Sequence, residues 1–193
     1  MRTVSVILRR TALVLTAVFV CGGLLFALGY AFEDPGGGMA VLLAAAVVVP
    51  LAALTVLAAL RRRLAPRVLA VAVGLYAVWA VIGLFVDLVD APDLPIIALV
   101  LALPIAVVGL TYALRAGALL VVVAAVPFLS LASILVRESG HEGPGLGDLF
   151  VGSTGVVVIP LLALAALLLL AGALDRGPAA DHGLPADQPL TKV

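Results

Sequence analysis

The chain has 193 residues, of which 65% are hydrophobic and only 11% are charged. A soluble domain averages about 45–50% apolar and about 25% charged residues, so the composition excludes an ordinary soluble domain and predicts an integral membrane protein. The formal net charge is zero, which argues against a basic nucleic-acid-binding surface. The single cysteine, Cys21, excludes an internal disulfide and a cysteine-based zinc site.

Charged residues divide the chain into six long uncharged runs, each of 19 to 26 residues. A helix needs about 20 apolar residues to cross the hydrocarbon core, and backbone in lipid must satisfy its own hydrogen bonds, which favours helices. The sequence therefore predicts an all-α, six-helix transmembrane bundle of three hairpins. The predicted helices cover residues 11–32, 39–60, 68–86, 95–114, 117–136 and 149–174. They follow a cytoplasmic N-terminus at 1–10 and precede a disordered cytoplasmic tail at 175–193.

The first apolar run is long enough to be a retained helix. Arg2, Arg9 and Arg10 resemble the charged start of a secretory signal. The run that follows, residues 11–32, exceeds the roughly 7–15 apolar residues of such signals. We expect a retained membrane helix in preference to a cleaved signal.

Basic residues predict the orientation of the bundle, because cationic loops resist translocation. Ten of the 11 basic residues fall at one end of the predicted bundle, and Arg137 alone falls at the other. Both termini are therefore expected in the cytoplasm. The excess of arginine over lysine, with abundant alanine, valine, glycine and proline, suggests a bacterial origin and hence the bacterial cytoplasmic membrane. The main topology anchors are Arg61, Arg62, Arg63 and Arg67.

Prolines occur near the middle of all three even-numbered predicted helices, as candidate kinks at Pro50, Pro104 and Pro160. A threefold set of kinks could bend or gate a central path. Proline is also common in transmembrane helices for reasons of packing alone, and we favour this simpler interpretation. Pro127 lies outside the pattern.

The predicted membrane interior contains no charged residue, although proton relays and ion pumps normally need one. Asp87 and Asp90 come nearest, as a weak candidate pair of outer carboxylates. His141 and Glu142 make a poor metal site, because one histidine lies among flexible glycines. We therefore expect no catalytic residues, no metal and no cofactor.

Less reactive polar and aromatic residues lie within the predicted helices. The hydroxyls of the serines and threonines are expected to form hydrogen bonds with their own helix backbone or with a neighbouring helix. These residues are Thr55, Ser130, Ser133, Ser153 and Thr154. Tyr76 and Trp79 lie toward the middle of the third predicted helix, away from an interface. We expect both rings to fill the bundle core.

The segment Phe32-Glu33-Asp34-Pro35-Gly36-Gly37, together with the overall composition, resembles small actinobacterial integral membrane proteins of uncharacterised function. The resemblance covers one loop and its flanking helices. It implies a membrane protein and no particular activity.

Three classes of function stay open on these observations. The first is a non-catalytic accessory or scaffold component, whose partners are the lipid bilayer and other membrane proteins or further copies of itself, without nucleic acid. The alternative is a small transporter or channel for an apolar or weakly polar solute, with predicted helices 2, 4 and 6 as moving parts. The third, a membrane enzyme, is disfavoured by the residue inventory. We favour the first.

Overall fold

The computed structural model of the protein describes residues 2–33, 37–86, 93–137 and 153–176. Within these ranges six helices form one bundle: α1 (Arg2–Glu33), α2 (Gly37–Leu60), α3 (Ala65–Val86), α4 (Asp93–Gly109), α5 (Ala113–Arg137) and α6 (Ser153–Asp175). All but α4 are long and apolar enough to cross a membrane. The predicted all-helical class is confirmed, and five of the six predicted membrane-length helices have the length and apolar composition of a membrane span, whereas α4 is shorter.

The shortest helix, α4, is the centre of the bundle. It packs against each of the other described helices, and most of its side chains are buried, from Leu94 to Val108. Its 17 residues span about 26 Å at about 1.5 Å per residue. A helix that is hydrophobic on every side is stable only when apolar neighbours cover it, and here protein rather than solvent provides that cover.

The turn between α4 and α5 lies earlier in the chain than the sequence predicts. Helix α4 ends at Gly109 and α5 begins at Ala113, whereas the predicted helices met near Arg115. The Val108 carbonyl closes α4, accepting bonds from the backbone N–H groups of Thr111 and Tyr112 and from the Thr111 hydroxyl. Arg115 lies inside the first turn of α5. A long arginine side chain can reach the surface from within a helix, so its charge did not mark the helix end.

Helix α1 is longer than the predicted 11–32, because it already begins at Arg2. The segment before Thr11 contains no proline or glycine, and its described side chains are exposed or half-buried except for that of Ser5. Ser5 is buried against α6, so the first turns of α1 gain tertiary contacts. These contacts explain why residues 2–10 extend the helix instead of forming a separate N-terminal segment.

The first and last described helices meet at one end of the bundle. The Ser5 hydroxyl of α1 donates a hydrogen bond to the Ala171 carbonyl near the end of α6, and the Arg9 guanidinium of α1 donates one to the Leu110 carbonyl in the α4–α5 turn. Helices α1 and α2 are separated by only three residues and pack on each other, so α2 runs back toward this end and the α2–α3 turn lies there as well. We call it the basic end, because it holds every described arginine except Arg137.

Helices α5 and α6 form the tightest pair, through glycines that bring the backbones together. A Cβ at Gly117 would stand 3.1 Å from the Ala165 carbonyl oxygen, and one at Gly172 would stand 2.9 Å from the Leu114 backbone nitrogen. Small residues allow such close approach between membrane helices.

Candidate functional site: a polar cluster at the basic end

Arg9 is the centre of a polar cluster that joins three separate parts of the chain. Its guanidinium forms an ion pair with the carboxylate of Asp175, the last residue of α6. It also donates a hydrogen bond of 2.9 Å to the carbonyl oxygen of Leu110 in the α4–α5 turn. The Arg9 side chain is 17% exposed and that of Asp175 is 35% exposed. Arg9 therefore links α1, α4 and α6 from a partly buried position.

Helix chemistry favours this arrangement. Carbonyl groups after the last turn of a helix lack an intrahelical partner and carry partial negative charge. The Leu110 carbonyl follows α4, so a cation beside it is stabilised by both effects. Deeper in the bundle, the Ser5 hydroxyl donates to the Ala171 carbonyl at 3.0 Å. The cluster is suited to holding helices together, because both Nη atoms of Arg9 and the Ser5 hydroxyl are bound to backbone or to a carboxylate. The buried Nε of Arg9 has no hydrogen-bond partner among the described residues.

The hydroxyls in the interior are also bound to backbone carbonyls. Thr16 donates to Ala12 and Ser130 donates to Val126, each within its own helix. Tyr76 of α3 donates to Leu94 at the start of α4, at 3.0 Å. Ser133 donates to Ser130, so the prediction for both serines is confirmed. Thr55 is different, because its buried hydroxyl has no hydrogen-bond partner among the described residues.

The two aromatic residues of α3 face different ways. Tyr76 is buried, as predicted. Trp79 is 48% exposed, so the prediction that its ring fills the bundle core is wrong. The two residues are three positions apart, which is nearly one helical turn but shifts the side chain by about 60°. That shift is enough to place Trp79 at the outer boundary of the bundle.

The candidate kink prolines all lie inside helices but do not share an environment. Pro50 on α2 is exposed, Pro104 on the central helix is buried, and Pro160 on α6 is half-buried. Pro127 of α5, outside the proposed pattern, is buried as well. The three candidates therefore differ in how far the other described helices cover them.

The topology anchors lie together at the α2–α3 turn. Arg61, Arg62 and Arg63 form the turn, and Arg67 follows in the first turns of α3. All four are exposed. The Arg61 carbonyl accepts bonds from the N–H groups of Leu64 and Ala65, so the backbone of the turn is compact while the side chains project outward.

Several predicted sites lie outside the described residues. These are Asp87, Asp90, His141, Glu142 and the tail from residue 177 onward. Within the described ranges, no group of three or more histidine, cysteine or acidic residues could hold a metal ion.

Sequence reasoning missed the Arg9 cluster altogether. In the sequence, Arg9 belongs to the charged N-terminal segment and Asp175 to the start of the predicted tail, and no pattern predicts that the two meet. One feature of the sequence could have indicated the cluster: Ser5 and Arg9, just before the apolar run, are four positions apart and therefore share a helical face. Comparison with protein-family models, with curated proteins and with solved structures finds no match to this chain.

Proposed function

We propose that the protein is a non-catalytic, multi-pass component of the bacterial cytoplasmic membrane that acts as an accessory or scaffold protein through helix contacts. All six helices belong to the membrane bundle in this proposal, with the short α4 enclosed by the others. The basic end faces the cytoplasm. The composition and the arginine bias support a bacterial origin. We also propose, from the resemblance described above, that the protein is similar to small actinobacterial membrane proteins.

The observation that carries the proposal is the uneven burial of the helices. On α2 only Ala40 and Ala58 are buried, although the helix has 24 residues and no charge. Helix α2 packs mainly on α4 and leaves the rest of its surface open. In a bilayer this surface meets either lipid or another membrane protein, so α2 is the natural contact helix of a scaffold.

The bonding of interior hydroxyls also supports a structural function. Ser5, Thr16, Tyr76 and Ser130 are buried and each donates to a backbone carbonyl. Groups committed in this way stabilise helices and helix pairs.

The orientation follows from the grouping of charge. Nine of the ten described arginines lie at the basic end, and such clusters stay on the cytoplasmic side. The short α4 fits an enclosed position, because its neighbours can compensate for a span of about 26 Å in a core of about 30 Å.

Site-specific photocrosslinking from α2 tests the proposed function. A photoreactive residue at exposed Leu42 or Val49 of α2 should give discrete protein adducts in intact cells, whereas the same residue at buried Val123 of α5 should give none. The adduct must also disappear when the gene for the captured protein is deleted, or shift with a tagged second copy if the partner is the same chain. Adducts with lipid alone at every exposed α2 position would contradict the scaffold function.

The alternative is a small transporter or channel for an apolar or weakly polar solute. Its support is the presence of Pro50, Pro104 and Pro160 within α2, α4 and α6. The proline substitutions described in the Discussion separate it from a static scaffold.

A further inference from the structure

The four arginines at the α2–α3 turn are the largest group of uncompensated charges on the described surface. Arg61, Arg62, Arg63 and Arg67 are exposed, and none of their guanidinium groups makes a hydrogen bond or an ion pair with another residue that the structure describes. Other arginines at the basic end are engaged. Arg9 is paired with Asp175, and the Arg115 guanidinium lies over the Tyr112 ring, 5.6 Å from its centroid.

Exposed apolar residues continue directly from this charged turn. On α2, Val56 and Leu60 share a face that ends beside Arg61, and Leu60 is 75% exposed. On α3, Val71 and Leu75 lie one and two turns beyond Arg67 on the same face, and Leu75 is 65% exposed. A cationic head above an apolar surface is therefore built into both helices.

Helices α2 and α3 contact each other less than their short connection would suggest. Each packs on the central α4, and α3 also packs on α5, while the α2–α3 contact is slight. The helices therefore diverge from the turn, and no other described helix covers the exposed faces formed by Val56 and Leu60 on α2 and by Val71 and Leu75 on α3. A ligand with flexible hydrocarbon chains fits such a surface better than a rigid helix does, because chains adapt to a diverging shape.

We propose that the α2–α3 turn and the apolar faces beneath it bind an anionic phospholipid. The phosphate would be held by the guanidinium groups of Arg61, Arg62, Arg63 and Arg67, and the acyl chains would lie along Val56, Leu60, Val71 and Leu75. Guanidinium groups bind phosphate oxygens through paired, charge-assisted hydrogen bonds. Clusters of basic residues next to membrane helices attract anionic lipids. The proposal rests on the membrane insertion assumed under the proposed function.

Trp79 makes the proposal directly measurable. It is the only tryptophan of the chain, and it lies one turn beyond Leu75 on α3, partly exposed. Lipids with brominated acyl chains quench tryptophan fluorescence on contact. The full-length protein is purified in a neutral detergent and mixed with phosphatidylcholine that contains either brominated phosphatidylglycerol or brominated phosphatidylcholine.

We expect brominated phosphatidylglycerol to quench Trp79 at lower mole fraction than brominated phosphatidylcholine. An attraction of about 1 kcal/mol for each basic residue near the surface corresponds to a preference of roughly fivefold for each arginine in contact. The preference should weaken when salt shortens the screening length from about 10 Å to about 3 Å. Equal quenching by the two lipids would overturn the proposal.

Two triple variants, each of which removes three positive charges, test whether the lipid binds at the α2–α3 turn. The triple substitution Arg61→Gln, Arg62→Gln, Arg63→Gln should abolish most of the preference. The control triple Arg10→Gln, Arg115→Gln, Arg176→Gln alters exposed arginines elsewhere at the basic end and should retain it. Equal losses in the two variants would overturn the assignment to the α2–α3 turn. Thermal unfolding in neutral detergent verifies that both variants fold.

Further experiments distinguish the binding of a phospholipid from the binding of a phosphate group alone and from nonspecific attraction to positive charge. Substitution of the same three turn residues by lysine retains charge but not the paired geometry, so an intermediate preference is expected even if the glutamine variant fails to fold. A folded lysine variant that shows no preference for phosphatidylglycerol would overturn the proposal.

Free glycerol phosphate at millimolar concentration should leave the preference for phosphatidylglycerol intact. Loss of the preference under these conditions would show that the site binds phosphate without a lipid. If neither brominated lipid quenches Trp79, α3 does not face lipid and the membrane placement itself fails.

Discussion

Arg9 and Asp175 form an ion pair that joins the first turns of α1 to the last residue of α6. The two residues lie near opposite ends of the described chain, so the pair closes the bundle between its first and last helices. The second bond of Arg9, to the Leu110 carbonyl, attaches the central helix to the same point. We expect this cluster to stabilise the basic end.

Substitution of the pair should destabilise the bundle modestly. Asp175 is 35% exposed, so water screens the pair and the coupling should be about 0.2–1 kcal/mol. Arg9→Gln should cost more than Asp175→Asn, because it also removes the charged donor to Leu110. The free energy of unfolding in mixed micelles, measured for both single variants and the double variant, gives the coupling. Arg10→Gln is the exposed control, and strictly additive effects would contradict a direct interaction.

Alanine at the tight glycines of the α5–α6 pair should separate the two helices. At Gly117 and Gly172 the added Cβ would meet backbone atoms of the neighbouring helix, and overpacking costs about 1–3 kcal/mol. Gly22 and Gly74 are matched helical controls, because nothing lies within 4 Å of a Cβ added there. Alanine at these controls should be neutral or stabilising by about 0.5–1 kcal/mol, since glycine weakens a helix. Unfolding measurements that rank the four variants otherwise would show that the α5–α6 packing is wrong.

Alanine substitution of the helix prolines separates packing from motion. A proline inside a helix removes one backbone hydrogen bond, so alanine can restore it. For a static scaffold, Pro50→Ala, Pro104→Ala and Pro160→Ala should leave stability unchanged or raised and the α2 photoadducts intact. Exposed Pro50 should gain most, because alanine at buried Pro104 also leaves a small cavity.

Pro127→Ala is the control for this series, since Pro127 lies within α5 and outside the proposed pattern. If the three prolines of α2, α4 and α6 act as hinges, alanine should stabilise the protein while impairing its function. Loss of cellular function confined to these three variants, with Pro127→Ala silent and the α2 photoadducts intact, would favour the transporter alternative.

Reporter fusions test the orientation of the bundle. Fusions after Pro35, Pro92 and Gly143 should be external, and fusions after Arg63, Thr111 and Arg176 should be internal, because the arginines hold the basic end in the cytoplasm. Thr111 is used because it lies in the α4–α5 turn. Neutral replacements of Arg61, Arg62, Arg63 and Arg67 should give mixed orientations. Reversed results at two or more fusion sites would contradict the topology.

The sequence by itself determined the class of the protein and the number of its described helices. Six uncharged runs of 19 to 26 residues predict six helices, because a backbone in lipid has few other ways to satisfy its hydrogen bonds. The prediction was least accurate where it used charge to place a helix end. Arg9 and Arg115 both lie inside helices, because a long side chain separates the position of a charge from the position of its backbone.

Only the tertiary structure decided which helix is central and which residues meet. The six apolar runs have similar compositions, so sequence could not distinguish buried α4 from largely exposed α2. The same limit applies to Trp79, whose direction depends on which neighbours α3 packs against. The pairing of Arg9 with Asp175 depends on the return of α6 to the start of α1. Local sequence sets helix formation through backbone hydrogen bonding, whereas the neighbours of each helix are chosen by the packing of the whole bundle.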